Sequence, residues 1–231
     1  MDTTFWGPSG HQLFHLVTYR FDAGDLPATS KQMRSFFRSV GHLLPCVYCR
    51  RSFQQYAKEL PLRRVLCRGK LRTSTSFEWY YRIHNLINAK LRGQGYPIPP
   101  DPTFATVTRR FRNWQPGNSC LVGRDFLYAV TYQFSASLSD TRKQAYCTFF
   151  RQLAQLYPVE SVRNEYASYL ERHPIEDAMT GPMQLTRWFH RFDQRMNRRV
   201  CSVGSFRRRC NLLEQFHVKT CANRTCRRDS K

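Results

Sequence analysis

The stretch LFHLVTYRF, residues 13–21, returns 113 residues later as FLYAVTYQF, residues 126–134. A second segment, WYYRIHNLINAKL from Trp79, aligns with WFHRFDQRMNRRV from Trp188. Further pairs recur at the 113-residue spacing: Phe36 with Phe149, Phe37 with Phe150, and Pro45 with Pro158. Similarity at a fixed spacing is the sequence signature of an internal repeat. The chain is therefore predicted to hold two copies of one structural plan.

Both copies are predicted to be helical. Their apolar residues recur at helical spacing, and strand-like alternation is scarce. The residues that carry this pattern are Met33, Phe36, Phe37, Val40, Leu43 and Leu44 in the first copy and Phe149, Phe150, Leu153 and Leu156 in the second. The predicted fold class is therefore all-α, with one small helical bundle followed by another of the same plan.

The chain is predicted to divide into four segments. Residues 1–95 form the first bundle and residues 120–200 the second. Residues 96–119 are a Pro-rich linker, because YPIPPDPTF carries four prolines within nine residues. Residues 201–231, which are rich in Arg and Cys, form a tail.

The charge of the chain is strongly basic. Lys and Arg number 37 against 16 Asp and Glu, which gives a net charge of +21. This excess could bind polyanions, acidic partners or anionic membranes, although a solvated basic surface is the simpler explanation. The sequence has no apolar run that could span a membrane, and Met1–Trp6 resembles neither a signal nor a transit peptide. We therefore expect a cytoplasmic or nuclear protein.

The two copies differ at the polar positions where chemistry would occur. The first copy has Cys, Cys, His, His and Asn where the second has Val, Val, Tyr, Asp and Gln. These pairs are Cys46 and Val159, Cys49 and Val162, His15 and Tyr128, His84 and Asp193, and Asn85 and Gln194. The first copy is therefore predicted to be the working one and the second a degenerate scaffold.

The Cys46-Val-Tyr-Cys49 motif is predicted to lie in the first turn of a helix. Pro45 fits the start of a helix, where its missing N–H costs nothing. Cys46 and Cys49 then face the same way at the positive end of the helix, with Arg50 and Arg51 adjacent. This environment should lower a thiol pKa, which favours a reactive dithiol.

A zinc site and two inert buried cysteines are the alternatives for this motif. Zinc requires four ligands, and the first copy offers only Cys67 beyond the pair. The later residues could add Cys201, Cys210, His217, Cys221 and Cys226 only by reaching across the chain. The chain has nine cysteines, and an odd number fits a secreted disulfide framework poorly, which favours metal or redox chemistry. Of these two, redox chemistry is predicted, and no metal site is.

Two apolar helices of the first copy carry unusual polar faces. His11, His15 and Tyr19 recur every four residues, and His84 and Asn88 lie one turn apart. A lone His on a helix is more often a satisfied core residue than a ligand. Two such faces, together with Trp6 and Trp79, indicate a pocket for a flat, polar, aromatic ligand.

Three motifs in order, WGPSGHQLFH at 6–15, CVYCRRSF at 46–53 and WYYRIHNLINAKL at 79–91, carry a family resemblance. The chain resembles the flavin-dependent sulfhydryl oxidases of the Erv/Alr family, whose motifs are WGxxxWxxxH, CxxC followed by Phe, and WxxxxHNxVNxxLGK. It departs from them at His11, which replaces the second Trp, and at Arg92-Gly93, which replaces the final Gly-Lys.

This resemblance implies a four-helix bundle that cradles FAD. Cys46 would exchange disulfides with protein dithiols, and Cys49 would be the sulfur next to the flavin. Electrons would then pass through FAD to oxygen and yield hydrogen peroxide. The cofactor-binding residues that the resemblance implies are Trp6, His15, Tyr19, His84, Asn85 and Asn88. The predicted set is completed by Gly7, His11, Trp79 and Lys90.

Further expectations follow from the same resemblance. Cys221 and Cys226 would form a shuttle pair, unless they are structural or bind metal. The second copy would pack on the first as an internal dimer, with homo-oligomers as a further option. A family member without a targeting sequence resembles those of large DNA viruses, which implies a viral source and association with virions. The alternative function is a basic zinc- or nucleic-acid-binding structural protein.

Overall fold

The computed structural model describes residues 2–66, 74–116, 121–197 and 204–222, with side chains described as far as residue 217. Within these ranges the chain forms twelve α-helices and no β-strand, so the predicted all-α fold class is confirmed. The helices of the first half are α1 Thr3–Ala23, α2 Ser30–Leu43, α3 Val47–Glu59, α4 Leu62–Val65, α5 Ser76–Gly93 and α6 Phe104–Arg112. Those of the second half are α7 Arg124–Tyr132, α8 Asp140–Leu156, α9 Glu160–Arg172, α10 Ile175–Ala178, α11 Pro182–Asn197 and α12 Phe206–Ala222.

Helices α1, α2, α3 and α5 form the first bundle, and local sequence fixes several of their ends. Thr29 and Gln32 form a capping box at the start of α2. Gly24 ends α1 with a φ of 83°, a left-handed conformation that glycine adopts without strain. The bundle interior is apolar, as the sequence pattern predicted: Met33, Phe36, Val40 and Leu43 of α2 are fully buried.

The second half repeats the helix order of the first. Helices α3 and α9 are each 13 residues long, and the four-residue helices α4 and α10 follow them at the same distance. The Nε1–H of Trp79 donates a 2.6 Å hydrogen bond to the carbonyl of Leu60, just past α3. The Nε1–H of Trp188 donates a 2.8 Å bond to the carbonyl of His173, just past α9. One packing arrangement therefore occurs twice.

The two halves contact each other through equivalent helices, α1 against α7 and α2 against α8. Phe36 and Phe149, which occupy the same position in the two halves, stack with ring centroids 4.9 Å apart. A Cβ on Gly10 would lie 3.1 Å from the ring of Phe126. A Cβ on Gly123, the equivalent of Gly10, would lie 2.8 Å from Leu13, the equivalent of Phe126. Such reciprocal contacts are typical of a two-fold interface.

The segment predicted as a linker, 96–119, is not wholly extended. Thr103 caps helix α6, whose Val107 and Phe111 are buried against the first half. The Pro-rich stretch before α6 folds back on α5, where the Tyr81 hydroxyl donates a 2.8 Å hydrogen bond to the carbonyl of Pro102. Apolar residues at helical spacing after Thr103 explain the difference.

The described part of the predicted tail, residues 204–222, also differs from expectation. It contains α12, whose Leu213 is fully buried, and Phe216 stacks on Phe5 of α1 with ring centroids 4.4 Å apart. Burial of these apolar side chains holds the helix on α7 and on the start of α1. Among the helices that the structure describes, none has both the length and the apolar character needed to cross a membrane.

Candidate active site

Cys46 is the N-cap residue of α3. Its backbone is extended, with φ −128° and ψ 130°, and its Sγ accepts a hydrogen bond from the backbone N–H of Cys49 at 3.4 Å. The helix begins at Val47, so Pro45 lies just before it and not in its first turn as predicted. Both cysteines are free thiols and half-buried. Cys46 thus replaces the Ser, Thr or Asp that usually caps a helix.

The two thiols have opposite pKa shifts. A hydrogen bond from the Cys49 thiol lowers the pKa of Cys46 to about 6, and the backbone N–H groups of Cys49 and Tyr48 add to this effect against the opposing cost of burial. Donating that hydrogen bond and being buried raise the pKa of Cys49. Cys46 is therefore the thiolate of the pair at neutral pH, and Cys49 retains its proton.

The direction of the Cys46 shift agrees with the sequence prediction, but its main cause does not. The prediction relied on the positive end of the helix together with the neighbouring arginines, Arg50 and Arg51, whereas the largest cause is the Cys49 thiol. In the structure the Arg50 guanidinium donates a 2.7 Å hydrogen bond to the carbonyl of Leu44. The cation with the largest effect on the pKa of Cys49 is Lys90 of α5, which opposes its rise. The Lys90 ammonium also donates a 2.6 Å hydrogen bond to Ser52 Oγ.

A histidine cluster lies between α1 and α5. The rings of His11 and His84 stack with centroids 3.7 Å apart and planes 6° from parallel. His15 Nε2 and His84 Nδ1 share a hydrogen bond of 3.0 Å, and His11 Nδ1 shares one of 2.8 Å with the Tyr80 hydroxyl. The structure therefore brings together His11, His15 and His84 as predicted.

Burial makes these three imidazoles neutral. It lowers the pKa of His11 and of His15 well below the ordinary value, and that of His84 to about 4, where the Asp101 carboxylate opposes the shift. A neutral imidazole has one donor nitrogen and one acceptor nitrogen. Because the rings carry no net charge at pH 7, the cluster suits a polar ligand with both donors and acceptors.

Two features of this cluster leave room for a ligand. The Nδ1 atom of His15 is buried without a hydrogen-bond partner, which is costly for a buried polar atom. Gly7 lies on the same face of α1 as His11, and apart from the adjoining residues of α1 no atom lies within 4 Å of the place where its Cβ would be. Open space beside stacked neutral rings and an unsatisfied nitrogen fit a flat heteroaromatic group such as that of FAD.

Two residues at this site were not predicted from the sequence. Asp101, in the Pro-rich stretch, accepts hydrogen bonds from Asn88 Nδ2 at 2.7 Å and from Arg92 Nη2 at 2.6 Å. Phe111 of α6 stacks on His15 with ring centroids 4.9 Å apart. An acidic residue among prolines and a Phe at helical spacing were the available signals, but neither shows which helix it will contact.

The remaining predicted binding residues have varied surroundings. Trp6 is buried and its ring centroid lies 5.9 Å from that of Phe126, across the contact between the halves. Trp79 lies in the core, and its polar nitrogen bonds to the backbone as described above. Tyr19 packs edge-on against Phe77, and Asn85 is half-buried. Their roles toward a cofactor stay predictions.

The predicted shuttle pair, Cys221 and Cys226, lies outside the residues whose side chains the structure describes. Cys67 and Cys201 also lie outside the described ranges. Among the residues that are described, no group of three His, Cys, Asp or Glu side chains is arranged to hold a metal ion.

The equivalent place in the second half is filled by an ionic network. Arg124, Tyr128 and Asp193 take the positions of His11, His15 and His84. The fully buried Asp193 carboxylate accepts hydrogen bonds from the Tyr128 hydroxyl at 2.7 Å and from Arg124 Nε at 2.8 Å. Arg209 of α12 covers the Tyr128 ring at 4.6 Å. This network and its covering helix occupy the place of the histidine cluster.

Comparison with known proteins agrees with the geometry of the first half. The family model described as the Erv1 / Alr family matches residues 9–110, which extend from α1 into α6 and include the CxxC motif and the histidine cluster. Searches of the curated proteins and of the solved structures gave no match. Residues 9–110, somewhat less than half of the 231-residue chain, therefore match the Erv1 / Alr family.

Proposed function

We propose that this chain is an FAD-dependent sulfhydryl oxidase that forms disulfides in protein dithiols and reduces molecular oxygen to hydrogen peroxide. The match of residues 9–110 to the Erv1 / Alr family supports FAD-linked thiol oxidation in general. The observation that carries the proposal for this chain is the Cys46-Cys49 pair, with one thiol poised as a thiolate at a helix N-terminus.

The opposite pKa shifts of the two thiols suit disulfide exchange. In the oxidised protein, a substrate thiolate attacks Cys46 Sγ, the Cys46–Cys49 bond breaks, and Cys49 leaves and takes up a proton. The second thiolate of the substrate then attacks the substrate sulfur that is bonded to Cys46. The substrate disulfide forms, and Cys46 is released as a thiolate. The low pKa of Cys46 makes it a good leaving group in this second step. The substrate has lost two electrons, and the CxxC pair has gained them.

The residues that would hold FAD are His11, His15, His84, Asn88 and Lys90. Bound FAD would supply a two-electron acceptor for the dithiol and a donor to molecular oxygen. The unpaired His15 Nδ1 and the open space at Gly7 support this assignment. Lys90 joins the CxxC helix to α5, so it lies where one cation could act on both the thiols and an anionic cofactor.

The second half would act as a scaffold in an internal dimer. Reciprocal packing of Gly10 and Gly123 and stacking of Phe36 on Phe149 support this arrangement. Valines at the CxxC positions and the buried Arg124–Asp193 pair imply one flavin for each chain. Cys221 and Cys226 stay the predicted shuttle pair.

The test uses the full chain. We expect a visible flavin absorption band that bleaches with dithiothreitol without oxygen and returns in air with release of hydrogen peroxide. Cys46→Ser and Cys49→Ser should keep the band and abolish turnover, because each removes one sulfur of the exchanging pair. Cys147→Ser is the matched control, since Cys147 is a buried thiol of the second half that contacts Met179.

A protein that stays colourless after refolding with FAD would contradict the oxidase proposal. The alternative would then be a basic zinc- or nucleic-acid-binding structural protein, which metal analysis would test. Turnover that survives in both serine variants would move the reactive thiols away from α3.

A further inference from the structure

A basic cleft lies on the second half, away from the CxxC motif and the histidine cluster. It has a volume of about 280 Å³ and lies between the end of α9, helix α10 and the exposed face of α11. Arg172, Arg187 and Arg191 line it, with Asp177 as the acidic member. All four side chains are exposed to solvent.

The same place in the first half has a different charge. The two places share a framework, because Trp79 and Trp188 make the same hydrogen bond to the carbonyl that precedes a proline. The charged first-half positions are Glu59, Arg64, Glu78 and Arg82, which sum to zero. Their second-half equivalents are Arg172, Asp177, Arg187 and Arg191, which sum to +2. Two positions that hold glutamates in the first half, Glu59 and Glu78, hold the arginines Arg172 and Arg187 in the second half.

The change also removes an ion pair. In the first half, Arg82 Nη2 lies 2.6 Å from Glu78 Oε1, one helical turn away. In the second half, both members of this pair are arginines, Arg187 and Arg191, and like charges at this spacing destabilise a helix. Among the residues described, Arg191 makes no ion pair. An anion between the two guanidinium groups would offset their repulsion.

The other arginine of the cleft keeps donors available. Arg172 donates a hydrogen bond from Nε to the carbonyl of Ser168 at 2.9 Å, and its Nη2 lies 3.9 Å from Glu165, which also pairs with Arg195. The guanidinium of Arg187 lies 5.1 Å from the centre of the Phe206 ring, and Arg187 makes no ion pair among the residues that the structure describes. The planar guanidinium fork matches two oxygens of one phosphate.

We propose that this cleft binds the backbone phosphates of a nucleic acid. A single small anion would use only the cleft, but the basic surface continues beyond it. Phe206 lies under Arg187, and the two residues that follow it, Arg207 and Arg208, are exposed arginines at the start of α12. A chain of phosphates can contact the cleft and this extension together, and release of its counterions favours binding.

The test measures binding of a labelled single-stranded oligonucleotide to the full chain by fluorescence anisotropy. We expect Arg187→Gln with Arg191→Gln to weaken binding about tenfold and to lower the slope of log affinity against log salt by about 1.4, because two phosphate contacts with a single strand are lost. The matched control is Arg34→Gln with Arg38→Gln, which removes two exposed arginines at the same spacing on α2. The control should weaken binding much less.

Equal losses in the two double variants would overturn the proposal, because they would show binding by net charge alone. Tighter binding of poly-glutamate than of an unlabelled oligonucleotide with the same number of charges would also overturn it, in favour of an acidic protein partner. The flavin band of each variant reports separately on the oxidase proposal. A colourless protein that still binds the oligonucleotide through the cleft would contradict the oxidase proposal and support this one.

Discussion

Replacement of Cys49 by Ala should raise the pKa of Cys46. The Cys49 thiol is the largest cause of the low Cys46 pKa, since it donates a hydrogen bond to the Cys46 thiolate. Alanine removes this donor but keeps the backbone N–H groups at positions 48 and 49, which also stabilise the thiolate. The helix N-terminus is therefore preserved, and only the side-chain donor is lost.

The size of the effect follows from the thiolate fraction. With a pKa of about 6, half of Cys46 is ionised at pH 6, whereas an ordinary thiol with a pKa of 9.0 is about 500-fold less ionised. Because the backbone donors remain in the variant, its pKa should lie between these values. We expect alkylation of Cys46 at pH 6 to slow by roughly 10- to 100-fold.

The assay follows alkylation of the reduced protein by iodoacetamide across a pH series. Mass spectrometry of the peptide that contains Cys46 gives the rate at each pH. The rate should rise as pH increases through about 6 in the natural chain, because the thiol becomes a thiolate as it loses its proton. In Cys49→Ala the same rise should occur at higher pH. Cys49→Ser, which keeps a hydroxyl donor, should fall between them.

Two results would refute this reasoning. A midpoint near 9 in the natural chain would show that the cap and the neighbouring thiol do not stabilise the thiolate. An unchanged midpoint in Cys49→Ala would show that some other group lowers the Cys46 pKa, and the adjacent arginines would then be examined first.

Two further predictions concern the stability of the second half and its contact with the first. Gly123→Ala should lower the free energy of unfolding by roughly 2–4 kcal/mol, since its φ is 78° and its Cβ would clash with α1. Gly24→Ala is the control, because Gly24 has a similar φ but an added Cβ there would meet no neighbour within 4 Å. If urea titration gave the same loss of unfolding free energy for both variants, backbone strain alone would explain the effect. Asp193→Asn should cost about 3–5 kcal/mol, because it removes the buried partner of Arg124. Asp25→Asn, at an exposed ion pair, should cost less than about 1 kcal/mol in the same titration, and equal costs would contradict the assigned role of burial.

The elements that sequence predicted well are those that local pattern controls. The apolar residues of α2 recur at helical spacing and are buried, because a helix places such residues on one face. Cys46 was expected at a helix N-terminus, and it is the N-cap of α3. The polar helix faces read from the sequence also included His11, His15 and His84, which meet because α1 and α5 are neighbours.

The elements that sequence did not predict depend on contacts between distant segments. Asp101 bonds to Asn88 because the Pro-rich stretch turns back along α5, and proline content alone indicates only an extended backbone. Phe111 covers His15 because α6 returns to the first bundle. The role of Cys49 in lowering the Cys46 pKa depends on the rotamer that points one thiol at the other, which spacing does not specify.

The reciprocal glycine contacts between the halves have a consequence for how the molecule can change. In an assembly of two identical chains, one codon specifies both sides of the interface, so every substitution appears twice. Here Gly10 and Gly123 are encoded separately, and so are the residues that they touch, Phe126 and Leu13. Each side can therefore mutate while its counterpart stays fixed. That independence lets one half keep two thiols on α3 while the other acquires arginines on α11, without any change in the contact that joins them.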